Sequence, residues 1–378
     1  MTARPVSAYQ RFFFELRSRE SLCLVRLFTG LVLCVKLTHL YGLWRVERLS
    51  ISLPHRRFPR PEDYLLEGFR LPVPGFEWLP APSYQGYLWL ENALLALAAL
   101  VMLGLFTRVV VPALALLLSY WLLLSEWFYT HHMTTFVLVL WVLAFSRCDE
   151  HFSLDAARRG DAAVRPARVI LPVRQLQLLV TAVYFQASFG AKMNAGWITG
   201  QVMADLEHAV VLNGYLAGGV LAVLPAKLLG FLTVVVETAL VFGLWLPRAR
   251  RWCIFAGVLL HAGIDMLMNV GTFSYQMFAL YIAFVTPEGG RTRVALAPGV
   301  WARLLRALDW LGRFTLEAPR ADRRLQVTLD DGRVLHELEA LREVLTRTPL
   351  TFVPGCLLYL PVFRDVAVVL WPRGSADT

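Results

Sequence analysis

The sequence predicts an all-α integral membrane protein, a bundle of about eight transmembrane helices followed by a small cytoplasmic α/β tail. Of its 378 residues, 57% are hydrophobic and only 17% are charged, whereas soluble domains are roughly half apolar and a quarter charged. The apolar excess falls in blocks of about 20 residues, the number that a helix needs to cross roughly 30 Å of hydrocarbon. Because these blocks are continuous runs without alternation at every second residue, they favour helices over a β-barrel.

The predicted spans begin at Leu22, where about 22 mostly apolar residues follow an arginine-rich segment. No small-residue cleavage site follows this block, so we expect a retained first helix rather than a signal peptide. The other blocks lie at about 86–106, 109–128, 130–146, 175–192, 228–247, 252–269 and 271–286. The block at 130–146 and the last block are short, so the expected count of eight carries a margin of one.

Arginines beside the apolar blocks predict the orientation of the chain in the membrane. The net charge is +9, and Lys36, Lys192 and Lys227 are the only lysines. Most arginine-bearing segments lie on the inner side if both termini are cytoplasmic, although the first outer loop breaks this rule with six arginines between positions 45 and 70. Anionic lipid headgroups explain the charge better than nucleic acid does. We therefore expect an integral protein of a bacterial-type plasma membrane with cytoplasmic N- and C-termini.

The predicted organisation has three parts: a cytoplasmic N-terminal segment at 1–20, a transmembrane domain at 21–290, and a tail at 291–378. In the tail, residues 300–316 place apolar side chains on one face, which predicts a helix lying on the inner membrane surface. Residues 326–335 predict two strands joined by a tight Asp-Gly turn, and a helix is expected from about Glu337 to Thr346.

A polar stripe makes the fifth predicted span the clearest candidate for function. Its members are spaced four, three, four and four residues apart, which places them on one face of a helix: Gln177, Thr181, Tyr184, Ser188 and Lys192. Such a stripe on an otherwise apolar helix is expected to face the bundle interior or a wet cavity. Lys192 ends the stripe on the predicted outer side, either as a functional amine or as a lysine that snorkels to the interface.

Ionisable residues in the sixth and seventh spans are further candidates, because a charged side chain at a helix centre costs roughly 2.5–3.5 kcal/mol. His261 and Asp265 stand four residues apart on one face. The carboxylate is expected to orient the imidazole, to exchange protons with it, or to form with it a buried pair that holds helices together. Glu237, with Thr233 one turn before it, is likewise a proton relay or a hydrogen-bond anchor.

Histidines and cysteines do not predict a metal centre. His131 and His132 lie at the predicted outer mouth, but adjacent histidines on a helix point about 100° apart, so a shared ion with His261 is not expected. The five cysteines are scattered without a C-x-x-C pair. This spacing disfavours a disulfide framework, a zinc ribbon and a dithiol redox centre.

Three segments, spread over roughly residues 20–290, resemble the HTTM family, which includes the vitamin K-dependent γ-glutamyl carboxylases. The first runs from Tyr129-Thr-His-His-Met-Thr-Thr135 into Ala144-Phe-Ser-Arg-Cys-Asp-Glu-His-Phe-Ser-Leu-Asp155. The second is Val183-Tyr-Phe-Gln-Ala-Ser-Phe-Gly-Ala-Lys-Met-Asn-Ala-Gly-Trp-Ile-Thr-Gly200. The third is Glu237, followed by His261 and the turn Gly271-Thr-Phe-Ser274.

The resemblance implies a carboxylase-like lyase that oxidises reduced vitamin K or menaquinol and acts on a peptide or small-molecule substrate. In the carboxylase, the lysine of the second segment is the base in quinol oxidation, and a histidine of the first segment assists carboxylation. Lys192 and His132 match those positions, and with His261 they are the expected catalytic residues. The expected cofactor-binding residues are Tyr184, Ser188, Trp197 and Glu237.

The tail departs from the carboxylase, which carries a large luminal domain that grips its peptide substrate. Only about 90 residues follow position 286, so peptide carboxylation is not carried over. From Leu329 through Arg364 the tail weakly resembles the C-terminal part of the DCC thiol–disulfide oxidoreductases. The catalytic Asp-Cys-Cys segment of those enzymes is absent, so no redox activity is implied for the tail.

Three functions are therefore compatible with the sequence. The first is a quinol-oxidising or carboxylase-like enzyme, and the second is a non-catalytic membrane module that stabilises or matures a partner protein. The third is a proton-coupled transporter that uses Glu237, His261 and Asp265. Matching pairs of Gly- or Pro-broken spans, which are typical of transporters, are not found. The polar stripe favours chemistry over a scaffold.

Overall fold

The computed structural model describes residues 7–17, 20–38, 73–126, 129, 131–160, 168–202, 225–267, 272–285, 292–309, 312–318, 325–329 and 332–370. The described chain is mostly helical, with a small sheet near the C-terminus, and it divides into two compact units, Met1–Val285 and Thr286–Thr378. The arginine-rich outer loop predicted at about 45–70 lies outside the described residues.

The first unit is a helical bundle preceded by a short helix and closed by a two-stranded ribbon. Its helices are α1 (Ala8–Phe14), α2 (Glu20–Leu37), α3 (Tyr84–Leu103), α4 (Thr107–Leu123), α5 (His131–Ala144), α6 (Leu154–Arg159), α7 (Leu171–Phe185), α8 (Ala195–Ile198), α9 (Ala226–Gly243), α10 (Pro247–Leu267) and α11 (Phe273–Tyr281). A π-helix, Gln186–Lys192, continues α7, and a 3₁₀ turn, Ile282–Phe284, continues α11. Strands β1 (Leu16–Arg17) and β2 (Arg168–Val169) pair antiparallel.

The long helices pack pairwise around the bundle. Helix α2 packs on α3, α3 on α4, and α4 on α5, while α7, α9, α10 and α11 form the other side. Helix α11 closes the arrangement because it packs on α2, α7 and α10. The residues that face one another are Leu, Val, Ala and aromatic side chains with little or no exposure, so burial of apolar surface holds these helices together.

Helix α2 approaches α3 closely at Gly30. A Cβ atom at this position would lie 2.5 Å from the backbone nitrogen of Met102 and 2.7 Å from its Cα. Because these are backbone atoms, no rotamer change would relieve the overlap. Glycine at position 30 therefore sets the distance between the two helices.

Every apolar block predicted as a span contains a helix in the described residues, but the bounds differ. Among those residues, only Gln85–Leu103 has both the length and the apolar composition to cross a membrane as a single helix. Shorter apolar helices lie at Thr107–Leu123, His132–Ala144 and Phe273–Phe284. The predicted number of eight spans remains a prediction.

The loop between α5 and α6 is fixed by charged side chains. Asp149 forms ion pairs with Arg147 (3.2 Å) and Arg159 (2.8 Å). The Asp155 carboxylate accepts hydrogen bonds from the backbone N–H groups of Phe106 (2.9 Å) and Thr107 (2.8 Å), and so caps the start of α4. The segment at 153–155 thus connects two helices.

Arg26 of α2 reaches the same region from within the bundle. Its side chain is fully buried, and its guanidinium donates to the carbonyl oxygens of Val101, Met102 and Phe152. Val101 and Met102 belong to the last turn of α3, where carbonyl groups have no N–H partner four residues later within the helix. The guanidinium therefore caps α3 and ties it to the loop before α6.

The second unit contains a four-stranded mixed sheet in the order β4-β3-β5-β6. Its elements are β3 (Thr292–Leu296), α12 (Val300–Leu308), β4 (Phe314–Glu317), β5 (Leu325–Thr328), β6 (Val334–His336), α13 (Glu337–Arg347), α14 (Phe352–Leu357) and α15 (Pro361–Leu370). Strands β3 and β4 are parallel and joined through α12, whereas β5 pairs antiparallel with both β3 and β6. A buried cluster that includes Val294, Leu305, Val327 and Ala340 packs the helices on the sheet.

The predicted strand–turn–strand and the helix that follows it are confirmed. The single helix predicted over 300–316 is wrong in its second half, because α12 ends at Leu308 and Phe314 begins β4. The Asp309 carboxylate accepts from the backbone N–H groups of Arg313 (2.8 Å) and Phe314 (3.0 Å). These two bonds hold a turn that ends the helix and directs the chain into the sheet.

Candidate functional site

The polar stripe of α7 faces the bundle interior, as its spacing predicts. Gln177, Tyr184 and Ser188 are buried. Each of the five residues of the stripe forms a hydrogen bond or ion pair with a residue of another helix, or with a residue just after the end of one. The Gln177 amide donates to the Ala283 carbonyl oxygen over 2.8 Å, and Thr181 accepts from the Trp245 indole N–H over 2.9 Å. The contacts of the remaining three members form the candidate site.

A π-helix carries the outer end of the stripe. Over Gln186–Lys192 the backbone N–H groups bond five residues back, and the Met193 N–H closes the segment on the Ser188 carbonyl at 2.8 Å. Such segments are rare and occur often at functional sites, because the extra residue per turn redirects the side chains after it. Lys192 is the last residue of this π-helix.

Lys192 forms an ion pair with Glu237 of α9. The Lys192 side chain is 19% exposed and the Glu237 side chain only 5% exposed, so the amine lies at the edge of the bundle while the carboxylate lies inside it. The ammonium also lies over the ring of Trp197, 5.2 Å from the centroid. One turn earlier, the hydroxyl groups of Ser188 and Thr238 share a hydrogen bond of 2.6 Å.

A second set of polar groups lies deeper on the same face. The Tyr184 hydroxyl bonds His261 Nε2 over 2.6 Å and also bonds the Tyr281 hydroxyl. All three side chains are buried. Ser188 lies one turn after Tyr184, and its bond to Thr238 joins this segment to α9 next to Glu237, so α7 and its π-helical continuation carry members of both the ion pair and the network.

Aromatic rings surround the His261 imidazole. The ring of Phe273 lies 5.5 Å from it and that of Phe278 lies 6.2 Å away, centroid to centroid, both in edge-on geometry. The Tyr281 hydroxyl fits against α10 because position 257 is glycine, where a Cβ would come within 2.1 Å of that oxygen. Helix α11 therefore supplies most of the wall around His261.

Two buried polar atoms of the site have no hydrogen-bond partner among the described residues: Glu237 Oε2 and His261 Nδ1. A buried polar atom without a partner costs roughly 1–3 kcal/mol. Two such atoms in one site indicate a place where a polar ligand group or water completes the hydrogen bonding.

The His261–Asp265 pairing expected from the sequence is wrong, and a Thr233–Glu237 bond, which their spacing on the helix would allow, is also not formed. His261 does not bond Asp265, since its Nε2 bonds Tyr184 and the Asp265 carboxylate accepts from the Tyr275 hydroxyl over 3.1 Å. Thr233 does not bond Glu237, since its hydroxyl donates to the Leu229 carbonyl over 2.8 Å. In both cases residues one helical turn apart face the same way but bond other groups that lie nearer.

His132 belongs to a separate cluster with Lys36. His132 Nε2 lies 3.3 Å from Lys36 Nζ of α2. The buried Gln276 amide donates to the His132 carbonyl oxygen (3.2 Å) and accepts from the Phe136 N–H (3.0 Å), which fixes the first turn of α5 on α11. Within the described part of the chain, no hydrogen bond or ion pair joins His132 to Lys192 or His261. Helix α11 carries contacts to both clusters.

Comparison with known protein families matches the HTTM domain to residues 14–288, most of the chain. The chain belongs to the HTTM family. The HTTM domain is a membrane domain, so residues 14–288 form a membrane module. The matched region contains the ion pair, the Tyr184 network and the Lys36–His132 cluster. No solved structure matches this HTTM protein.

The structure adds residues that the sequence interpretation did not select. Lys36 and Arg26 carry a signal that could have found them, because each is a cation inside a predicted span. The sequence gives no such signal for three others: Tyr281, Thr238 and Gln276. A single polar residue in an apolar run does not reveal which helix it faces.

Proposed function

We propose that this HTTM protein is a membrane enzyme of the carboxylase-like kind that oxidises a lipid-soluble quinol, with Lys192 as its base. The observation that carries the proposal is the Lys192–Glu237 pair beside the buried Tyr184–His261–Tyr281 network. A scaffold gains little from ionisable groups placed inside a membrane domain, where they are expensive to keep.

The residues present fit a quinol such as reduced vitamin K or menaquinol. The two polar atoms without described partners, Glu237 Oε2 and His261 Nδ1, offer hydrogen bonds to hydroxyl groups. The rings of Phe273, Phe278 and Trp197 stand around the polar groups, and aromatic walls suit a flat ring. A bound quinol supplies two electrons and two acidic hydroxyl protons.

The Lys192–Glu237 bond allows the chain to prepare a base. An ammonium group cannot accept a proton, but transfer of its proton to the Glu237 carboxylate leaves a neutral amine and a neutral acid. Low polarity favours this neutral pair over two separated charges. The amine then takes a hydroxyl proton within hydrogen-bond reach, as a general base must.

Tyr184 links two groups in the buried part of the site that can exchange a proton. Its hydroxyl stands between His261 and Tyr281 and bonds both, so a proton gained by one neighbour can be passed to the other. We assign His261 and Tyr184 to holding and relaying a proton, and Ser188 and Trp197 to positioning the segment that bears Lys192.

A lipid-soluble substrate would reach the site from the bilayer. The outward face of the π-helix and its flanks carries Phe185, Phe189 and Met193, all exposed, while Lys192 remains partly exposed beside them. An apolar quinol tail fits such a face, and the polar ring then lies next to the amine.

The test is oxidation of reduced vitamin K or menaquinol by the purified full chain in detergent, in aerated buffer with dioxygen as oxidant. We expect catalytic formation of epoxide or quinone by the wild type. Loss of a general base is expected to lower the rate by about 10²–10⁴-fold in Lys192→Ala. Lys227→Ala, which removes an exposed lysine at the start of α9, is the matched control and should retain full activity.

Absence of turnover with any quinol by intact, folded wild type would exclude this chemistry. A non-catalytic module that stabilises or matures a partner protein would then be the remaining function, and co-purifying proteins would be sought. Equal rates in Lys192→Ala and the wild type would instead reject Lys192 as the base.

A further inference from the structure

Helix α12 of the second unit has an apolar face that no described residue covers. Its Leu305 and Ala302 are buried, Leu305 within the cluster on the sheet. On the other side, Val300, Trp301 and Leu304 are 61%, 69% and 45% exposed. Side chains this apolar are seldom grouped on an exposed helix without a function.

Two arginines of the same helix lie outside this face. Arg303 and Arg306 are exposed, and neither forms an ion pair with another described residue. On a helix they lie roughly 100° or more from the centre of the Val300–Leu304 stripe. A helix with an apolar stripe, a tryptophan and flanking cations is the pattern of a segment that lies in the surface layer of a membrane.

Helix α12 follows the membrane domain closely in the chain. The HTTM domain ends at position 288, and β3 begins at Thr292, directly before α12. Even a fully extended chain spans only about 3.3–3.6 Å per residue. The second unit is therefore tethered within a short distance of the surface at which the last predicted span ends.

We propose that α12 docks on the lipid surface of the membrane that holds the HTTM domain. Val300, Trp301 and Leu304 enter the interfacial layer, and Arg303 and Arg306 bind the phosphate groups of anionic lipids. This inference is independent of the quinol chemistry. It differs from the single interfacial helix predicted over 300–316, because β4 and its bonds to Asp309 keep the second half of that segment in the sheet.

The test uses nitroxide labels on the full-length protein in lipid nanodiscs that contain phosphatidylcholine and anionic phosphatidylglycerol. Labels are attached to Trp301→Cys or Leu304→Cys in a background with Cys34→Ser and Cys253→Ser, since the other three cysteines are buried. The control label is at Glu339→Cys, an exposed position of α13 in the same unit. Accessibility to oxygen and to a water-soluble nickel chelate is then measured by electron paramagnetic resonance.

We expect labels at 301 and 304 to be accessible to oxygen and protected from the nickel chelate, with the reverse at 339. Exposure of all three labels to the chelate would overturn the proposal. Protection of 301 and 304 from both reagents would also overturn it, because that result indicates protein rather than lipid over α12.

The arginines are tested by Arg303→Glu with Arg306→Glu in the same labelled chain. Both side chains are exposed, so the fold should survive, which circular dichroism checks. Labels at 301 and 304 should then shift toward the pattern of the label at 339. A lipid pattern that persists unchanged would reject the part of the proposal that assigns anionic lipid to these two residues.

Discussion

Glu237 holds the Lys192 ammonium with one carboxylate oxygen, while its other oxygen has no hydrogen-bond partner among the described residues. A carboxylate that served only to neutralise the lysine would be expected to satisfy both oxygens inside a bundle. The arrangement instead leaves a buried acceptor whose hydrogen bonding no described residue completes. Glu237 is therefore the residue whose alteration best separates a chemical role from a structural one.

Glu237→Gln is expected to lower quinol oxidation by about 10²-fold or more, because the amide no longer takes the Lys192 proton. The amide still fills the space and still bonds Lys192, so the thermal midpoint should change little. Initial rates and thermal unfolding in the same detergent measure the two effects. Glu339→Gln, an exposed change in α13, is the control. Normal rates in Glu237→Gln would contradict the proton transfer.

Gly257→Ala is expected to destabilise the bundle by about 1–3 kcal/mol, the usual effect of overpacking. The new methyl group would meet the Tyr281 hydroxyl at 2.1 Å and its ring carbon Cζ at 2.6 Å. Displacement of Tyr281 would also break its bond to Tyr184 and slow quinol oxidation. The measurement is chemical unfolding in detergent, together with the initial rate.

Gly263→Ala is the matched control for this change, because a Cβ at position 263 of the same helix meets nothing within 4 Å. It should be neutral or slightly stabilising, since alanine is the better helix former. Equal effects of the two substitutions would show that helix propensity, rather than the Tyr281 contact, determines the result.

The sequence predicted the stripe of α7 because a helix repeats at a fixed angle. Once one helix is assigned, the spacing of Gln177, Thr181 and Tyr184 suffices to place them on one face. The last two members of the stripe reach the same side from a π-helix that the spacing did not predict. The same rule gave the wrong partner for His261. Residues on one face meet only the groups that a neighbouring helix brings to them, and the order in which helices pack is not encoded in periodicity.

In the tail, too, sequence periodicity predicted only part of the structure, but for a different reason. Apolar spacing from 300 onward fits a helix, and α12 does form, but Asp309 captures two backbone N–H groups and ends it. The β4 segment is short and pairs in parallel with β3, a contact across a crossover that no local pattern predicts. By contrast, the Asp-Gly turn before β6 was predictable, because tight turns favour glycine where φ is positive. Gly332 does adopt such a conformation, with φ +84°.

The Lys36–His132 contact should give a measurable coupling energy. Lys36→Met and His132→Gln each remove one side of a bond of 3.3 Å, and residues in direct contact typically couple by about 0.5–3 kcal/mol. Unfolding of the two single variants and the double variant in detergent completes the cycle. A parallel cycle with Lys36→Met and Lys227→Met should be additive, because Lys227 is exposed. Additivity in the first cycle would show that the contact does not stabilise the fold.

Asp155→Asn is expected to destabilise the fold by about 1 kcal/mol, because it weakens the cap on α4. Burial opposes ionisation of Asp155, but the hydrogen bonds from Thr107 and Phe106 outweigh it and lower the pKa of this carboxyl below 3.8. A lowered pKa means that the stabilisation is complete above pH 3.8 and is lost as the pH falls through the lower pKa of the folded state.

Thermal unfolding at several pH values from about 6 downward should therefore show the stabilities of wild type and Asp155→Asn converging only in acid. Asp365→Asn, an exposed change in α15, should follow the wild type throughout. A constant difference between wild type and Asp155→Asn at every pH would show that the charge of Asp155 does not contribute.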